Sequence, residues 1–458
     1  MIPSPEQTYS MKNSLKRIIV LGGPLLFGRL SHYSHQVADS IMIGHFNGGG
    51  LELGALAVAG MYIWILNTFL WPLANGVQAI VSRRLGEGKQ RGRPENLGTV
   101  MDHGIITALL LSGVAFVLSF LAGPLFRTIL HDEGLIKLAL EYVAILRWSF
   151  IPLGIQQIFQ AFFNSVHKPR YSMIASILTN SLNILLNYIF IYGKLGLPEM
   201  GIRGAALGSL LSYWLGLLFI LAIALKKEHI GRYKFFHTRS IDRKLIKNII
   251  RVSMPPAIQN ILAMLIMLFY EAMVENIGAV YLAATHIVLS FYRINKTIVG
   301  GFSHGCAILI GNELGANNKA GAKKVMQAGY LIGSVIGLLV FALVFIFPGK
   351  VAAIFTDPGE TLDTATLALK FFAPFFFFEI LGFTFEMVFT GNGWGKFVLF
   401  SEFTTNVLFI LGFTFIATRL LGMGIISAWW GFALYQIGHS VLLHLGYKSE
   451  RWIHARVD

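Results

Sequence analysis

Apolar runs of about 20 residues or more recur along the whole chain, separated by short polar stretches. They predict bilayer-crossing helices near residues 15–43, 54–80, 99–124, 138–162, 172–193 and 203–225. A second set follows at 250–276, 281–308, 326–348, 368–390, 398–418 and 424–446. The pattern leaves 1–14 and 447–458 as termini outside the bilayer and 226–249 as a basic, partly amphipathic linker. It joins an N-terminal lobe of six helices (15–225) to a C-terminal lobe of six (250–446). An even number of spans puts both termini on one side. The expected fold class is an all-α polytopic membrane protein of twelve transmembrane helices in two six-helix bundles.

The two sets repeat one another. Gly76-Val-Gln-Ala-Ile-Val-Ser-Arg-Arg-Leu-Gly86 leads through a basic loop to Val100-Met101. Gly305-Cys-Ala-Ile-Leu-Ile-Gly-Asn-Glu-Leu-Gly315 leads in the same way to Val325-Met326. Pro124 and Asp132 recur as Pro348 and Asp357, Thr179-Asn180 as Thr405-Asn406, and Gly201-Ile202 as Gly424-Ile425. Corresponding helices of six-span repeats cross in the same direction, so the halves are expected to pack about a pseudo-twofold axis along the membrane normal. Two such bundles around a cleft suit a transporter that rocks one against the other.

Charge orients this arrangement rather than identifying a partner. The chain carries 37 Lys and Arg against 23 Asp and Glu, and a soluble protein with a net charge of +14 would invite a nucleic-acid reading. Most of these cations fall on one side of the predicted spans, as the positive-inside rule requires if both termini are cytoplasmic. In the linker, Ile241, Leu245 and Ile249 share a face that excludes Arg243, Lys244 and Lys247, a pattern fit for an anionic leaflet. No nucleic-acid partner is expected. Cys306 is the only cysteine, which excludes disulfide and multi-cysteine metal frameworks.

Ionisable groups inside a bilayer cost several kcal/mol, so those in the spans become candidates for function. Asp39 comes first. It lies deep in the first span on a stripe with Arg29, His32 and Gln36, and His35 is one turn away. It would serve as a site for H⁺ or Na⁺, or else as a structural partner of Arg29 or a histidine. The fifth span supplies Thr179, Asn180, Asn183 and Asn187, with the last two stacked at i, i+4. Amide oxygens there could help a carboxylate hold Na⁺, or simply join helices. In the second half, Glu271 follows Pro256 at the spacing that separates Asp39 from Pro24, which makes it the pseudo-symmetric counterpart. Glu379 and Glu386 share a face of the tenth span. They are candidates for second-lobe coupling or substrate contact, with Arg293 or Lys296 as structural partners. The Phe-rich entry to that span, Phe371, Phe372 and Phe375 to Phe378, would suit flat cations if it faced the cleft.

No phosphate-binding G-x-x-x-x-G-K-[ST] loop, H-E-x-x-H pair or nucleophile elbow occurs. Energy is therefore expected from an ion gradient, with no enzymatic activity, no cofactor, and no metal beyond a possible Na⁺ at Asp39.

Val37-Ala-Asp39-Ser-Ile-Met-Ile-Gly44, the Gly76–Gly86 segment, Asn180 to Gly193 with Gly201-Ile-Arg-Gly-Ala-Ala206, and the Gly305–Gly315 copy resemble the multidrug and toxic compound extrusion (MATE) transporters. The resemblance runs from Pro24 to about Gly446. It implies two six-helix lobes in a V shape and export of organic cations or drugs in exchange for Na⁺ or H⁺. Carried over by position, it also implies an N-lobe cation site of Asp39, Asn183, Asn187 and Ser209. Asn187 stands where that family usually has aspartate and Ser209 where it usually has threonine, which favours H⁺ over Na⁺. Ala263 replaces the acid that one branch places in helix 7, whereas Glu379 matches that branch's helix 10 acid. The expected partners are a small amphipathic substrate and the lipid bilayer, and the expected state is a monomer in the cell inner membrane. Flipping of a lipid-linked precursor is the alternative, although Asp39, Glu271 and Glu379 would repel a pyrophosphate. A non-transporting receptor or scaffold would not need acids within the spans of both halves.

Overall fold

A computed structural model describes residues 10–46, 50–92, 96–238 and 240–457, without the side chain of Gln36. Its helices are α1 (Met11–Gly44), α2 (Gly50–Asn67), α3 (Leu73–Arg91), α4 (Leu97–Ile129), α5 (Glu133–Ser165), α6 (Pro169–Ile191) and α7 (Gly201–Ala224). After the linker come α8 (Arg243–Glu275), α9 (Ala279–Gly315), α10 (Lys319–Ile346), α11 (Glu360–Gly391), α12 (Gly395–Leu420) and α13 (Ile425–Lys448). Among the described residues, nine helices are long and apolar enough to cross a membrane by length and composition alone.

The second predicted span, 54–80, is two helices rather than one. Pro72 supplies no N–H to continue the ladder, and the chain makes a series of tight turns between Asn67 and Leu73 before α3 begins. The eleventh span departs from α geometry over Asn406–Phe413 and again over Ile416–Leu420, where it winds as π-helix.

The chain divides into two compact units, one comprising Phe27–Ala257 and the other Met1–Leu26 with Ile258–Val457. Packing therefore partitions the protein differently from the sequence repeat. The leading part of α1 belongs with the second half and the leading part of α8 with the first. Both changes of unit fall just after helix-interior prolines, Pro24 in α1 and Pro255-Pro256 in α8.

Glycines and capping groups tie these exchanged segments into place. In the second unit Ile18, Leu21 and Leu25 share a core with Cys306, Ile310, Met326 and Phe385. A side chain on Gly301 would lie 2.6 Å from the Leu26 backbone nitrogen, so α1 and α9 meet there backbone to backbone. Arg17 pairs with Glu313 at 2.8 Å, and Asn318 donates to the other Glu313 oxygen at 2.7 Å. In the first unit Leu245 and Ile249 are buried, whereas Ile241 is exposed. Most of the linker's apolar face is thus turned into protein rather than toward lipid. Asp242 caps α8 by accepting from the Lys244 and Leu245 amides, and its own N–H donates to His103 Nε2 at 2.7 Å. Asp102 holds the preceding segment, accepting from Phe236 N (2.9 Å), Thr238 N (3.2 Å) and Thr238 Oγ1 (2.6 Å).

Phe371, Phe372, Phe375 and Phe376 at the entry to α11 belong to a hydrophobic core, whereas Phe378 lines a small cavity with Glu379. Phe372 and Phe376 are fully buried, and Phe371 packs against Trp429 and Trp430. These rings supply apolar burial and edge-to-face contacts within their own unit.

Candidate functional site

In the first unit the site is assembled by α1, α6 and α7. The close approach of α6 and α7 is made by the small-xxx-small pair Gly204 and Gly208. A Cβ on Gly204 would meet the Phe190 carbonyl carbon and oxygen at 2.6 Å. One on Gly208 would overlap Asn187 Oδ1 and stand 2.9 Å from the Asn187 backbone nitrogen. Glycine at both positions lets α7 lie directly on the polar face of α6.

That face carries a continuous chain of hydrogen bonds. Asn187 Nδ2 donates to Asp39 Oδ1 at 2.7 Å and also approaches Asn183 Oδ1 at 3.3 Å. Asn183 Nδ2 donates to Ser209 Oγ at 2.8 Å. Asn183, Asn187 and Ser209 are all buried, and Asn187 Oδ1 has no hydrogen-bond partner. The structure therefore brings the four residues singled out from the sequence into one relay. Asn180 stands beside it, its Nδ2 donating to Ser31 Oγ at 3.0 Å. His35 is buried with both ring nitrogens unpartnered, and its ring lies 5.0 Å from that of His32. The side chain of Gln36 lies outside the described residues.

The candidates of the second unit do not all meet. Glu271 faces His286, with Oε1 3.8 Å from Nδ1, and stands apart from the cavity lined by Glu379 and Glu386. Glu379 is buried in α11. It accepts from Asn295 Nδ2 at 3.1 Å, and its Oε1 has no hydrogen-bond partner. Lys296 lines the same cavity, its ammonium 4.8 Å from the centre of the Tyr292 ring and 4.9 Å from that of Phe383.

Glu386 has neighbours that sequence reasoning missed. Gln259 Nε2 donates to Glu386 Oε1 at 2.8 Å and to Glu402 Oε2 at 2.5 Å. His439 Nε2 lies 3.8 Å from Glu386 Oε2 and 4.0 Å from Glu402 Oε2. Glu402 and His439 lie inside predicted spans, so the rule that selects Asp39 would have selected them too.

The MatE family model matches residues 24–189 and again 255–416. The chain belongs to the MatE family. Matching the model once in each half also agrees with the duplication read from the Gly76–Gly86 and Gly305–Gly315 segments. The chain is 24% identical over 438 residues to a probable multidrug resistance protein NorM of Thermotoga maritima, covering 95% of this chain and 93% of that protein. A NorM-named relative from Photorhabdus laumondii is 24% identical over 97% of both chains. A crystal structure of a MATE protein in a bent conformation superposes with a TM-score of 0.87 at 22% identity, covering 97% of each chain. The fold is that of this family, a multi-pass helical membrane protein.

Proposed function

We propose that this MatE-family protein is a secondary active exporter of amphipathic, cationic drugs or metabolites, driven by proton exchange at Asp39. It works in the cell inner membrane with both termini cytoplasmic. The relay from Asp39 through Asn187 and Asn183 to Ser209 carries this reading.

Each member of the relay except the ionised carboxylate can both donate and accept. With Asp39 ionised, Asn187 donates to Asp39 and approaches Asn183 Oδ1, and Asn183 donates onward to Ser209. Once Asp39 takes a proton, its carboxyl must donate instead. Rotation of both amides then lets Asp39 donate to Asn187 Oδ1, Asn183 to Asn187, and the Ser209 hydroxyl to Asn183. Each hydrogen bond of the relay then runs in the opposite direction. Asn187 Oδ1, now unpartnered, is the acceptor used in the protonated state. A proton thus changes which way buried hydrogen bonds run along three helices, and that can bias one conformation over another.

The same residues favour H⁺ over Na⁺. A sodium site needs several oxygens converging on one point. Here an amide nitrogen, not an oxygen, is turned to Asp39, and only one carboxylate is present. Na⁺ is the second reading of the coupling ion. Multidrug resistance in the names of the relatives supports the substrate class.

Efflux of a cationic dye from proteoliposomes, under an imposed pH or Na⁺ gradient, tests the proposal. Transport should follow the pH gradient and be lost in D39N. Dye movement indifferent to both gradients, or unchanged in D39N, would overturn it.

A further inference from the structure

Glu386 of α11, Glu402 of α12 and His439 of α13 lie far apart in sequence, yet each presents one ligand atom within 4.8 Å of the other two. We infer that these three side chains form a binding site for one divalent transition-metal ion inside the second unit. The inference stands apart from the transport reading, because it concerns metal binding rather than flux.

The geometry is that of a coordination shell rather than of a hydrogen-bonded cluster. His439 Nε2 is too far from Glu386 Oε2 (3.8 Å) and Glu402 Oε2 (4.0 Å) to bond to either directly. Ligands about 2.0–2.2 Å from a common ion stand roughly 3–4 Å apart, which the two imidazole–carboxylate distances match. His439 is only 6% exposed, and Nε2 has no hydrogen-bond partner. Leaving such an atom unpaired in the interior is unfavourable, and a bound ion supplies the missing partner.

The outer partners are those a metal site uses. The other ring nitrogen, Nδ1, lies 3.1 Å from Ser401 Oγ, so the hydroxyl can orient the imidazole and leave Nε2 as the electron-pair donor. Gln259 Nε2 bonds to Glu386 Oε1 and Glu402 Oε2 and holds both carboxylates in place. Metal-ligating carboxylates are commonly fixed by such bonds.

Size and charge narrow the guest. The adjoining cavity, lined by Glu379, Glu386, Gln436 and His439 among others, has a free volume of about 10 Å³. That admits a single ion or water and excludes a drug. Three carboxyl groups, Glu379, Glu386 and Glu402, stand there against one ammonium, Lys296, so the site suits a cation rather than an anion. An imidazole beside two carboxylates selects Zn²⁺, Co²⁺ or Mn²⁺ over Na⁺, Mg²⁺ or Ca²⁺, which take oxygen donors. Buried Gln436, with both amide atoms unpartnered, faces the same cavity and can bond to a water in the open coordination position.

Co²⁺ is the probe, added to chelator-stripped full-length protein in lipid nanodiscs. The wild type should take up one equivalent, show visible ligand-field bands of an N,O site, and release Co²⁺ to Zn²⁺. E402Q and H439Q should lose the bands, and S401A should bind about tenfold more weakly. E275Q, which removes an exposed carboxylate elsewhere on α8, should bind like the wild type. Substoichiometric uptake by the wild type, or bands that persist in H439Q, would overturn the assignment. Should E402Q or H439Q not fold, wild-type stoichiometry and the S401A affinity decide the question.

Discussion

Gly208→Ala is the sharpest test of the Asp39 relay, because it perturbs Asn187 without touching any titratable group. Alanine is about 1 kcal/mol better than glycine in a helix, so propensity alone predicts a gain. The structure predicts a loss. The new Cβ would overlap Asn187 Oδ1, stand 2.9 Å from the Asn187 backbone nitrogen and 3.2 Å from its Cγ. The amide must move, which breaks its 2.7 Å bond to Asp39 Oδ1. A hydrogen bond to a charged group is worth about 1.5–3 kcal/mol. At 1.4 kcal/mol per factor of ten, gradient-driven transport should fall about 10- to 100-fold. Gly204→Ala is the control. Its Cβ would meet the backbone of Phe190 and Ile191 at 2.6–2.7 Å, one turn from the relay. It should cost about 1–3 kcal/mol of stability through overpacking while leaving the dependence on the gradient intact. Dye efflux from proteoliposomes, with and without an imposed pH gradient and normalised to folded protein, separates the two. Equal gradient dependence in G208A and the wild type, at matched folded protein, would refute the role of Asn187.

Three further outcomes follow from the packing. Ser209→Ala removes the hydroxyl that ends the relay and should lower proton-driven efflux about tenfold, whereas Ser209→Thr should stay near wild type; net flux at a fixed pH gradient reads the difference. Asp102→Ala frees the two amides and the hydroxyl that hold the linker, so limited trypsin digestion should cut near Lys234 several times faster than in the wild type. Arg17→Ala leaves the largely buried Glu313 carboxylate without its guanidinium, which should lower thermal stability in detergent by about 1–3 kcal/mol.

The spans were legible because bilayer-length apolar runs dominate the chain, and the repeat was legible in motifs such as Gly76–Gly86. The break at Pro72 could have been read from the proline alone. The π-helical winding of α12 could not, since no residue spacing announces it. At the first site, Asn183 and Asn187 share a helix face by simple periodicity, but their pairing with Asp39 and Ser209 rests on α1 and α7 arriving from elsewhere. The resemblance to known transporters supplied that step. The symmetry argument for Glu271 carried less. The register that places Thr405 on Thr179 puts Phe409 and Phe413 where Asn183 and Asn187 stand, so an acid at the matching height finds no amide partners. Glu386, Glu402 and His439 meet only through tertiary packing of three helices, and no local motif connects them.

The exchange of leading segments between the two units has a consequence for how the chain is made. The part of α1 up to Leu26 leaves the ribosome before Phe27–Ala257, yet its packing partners begin at Ile258 and so emerge after that whole unit. The opening stretch of α1 must therefore wait in the bilayer with Arg17 unpaired until Glu313 is inserted. Conversely, the half that starts first is complete only when the chain has passed Ala257. Cutting the gene within the linker would strand a piece of each unit on the wrong fragment, so the fragments should mature only when synthesised together.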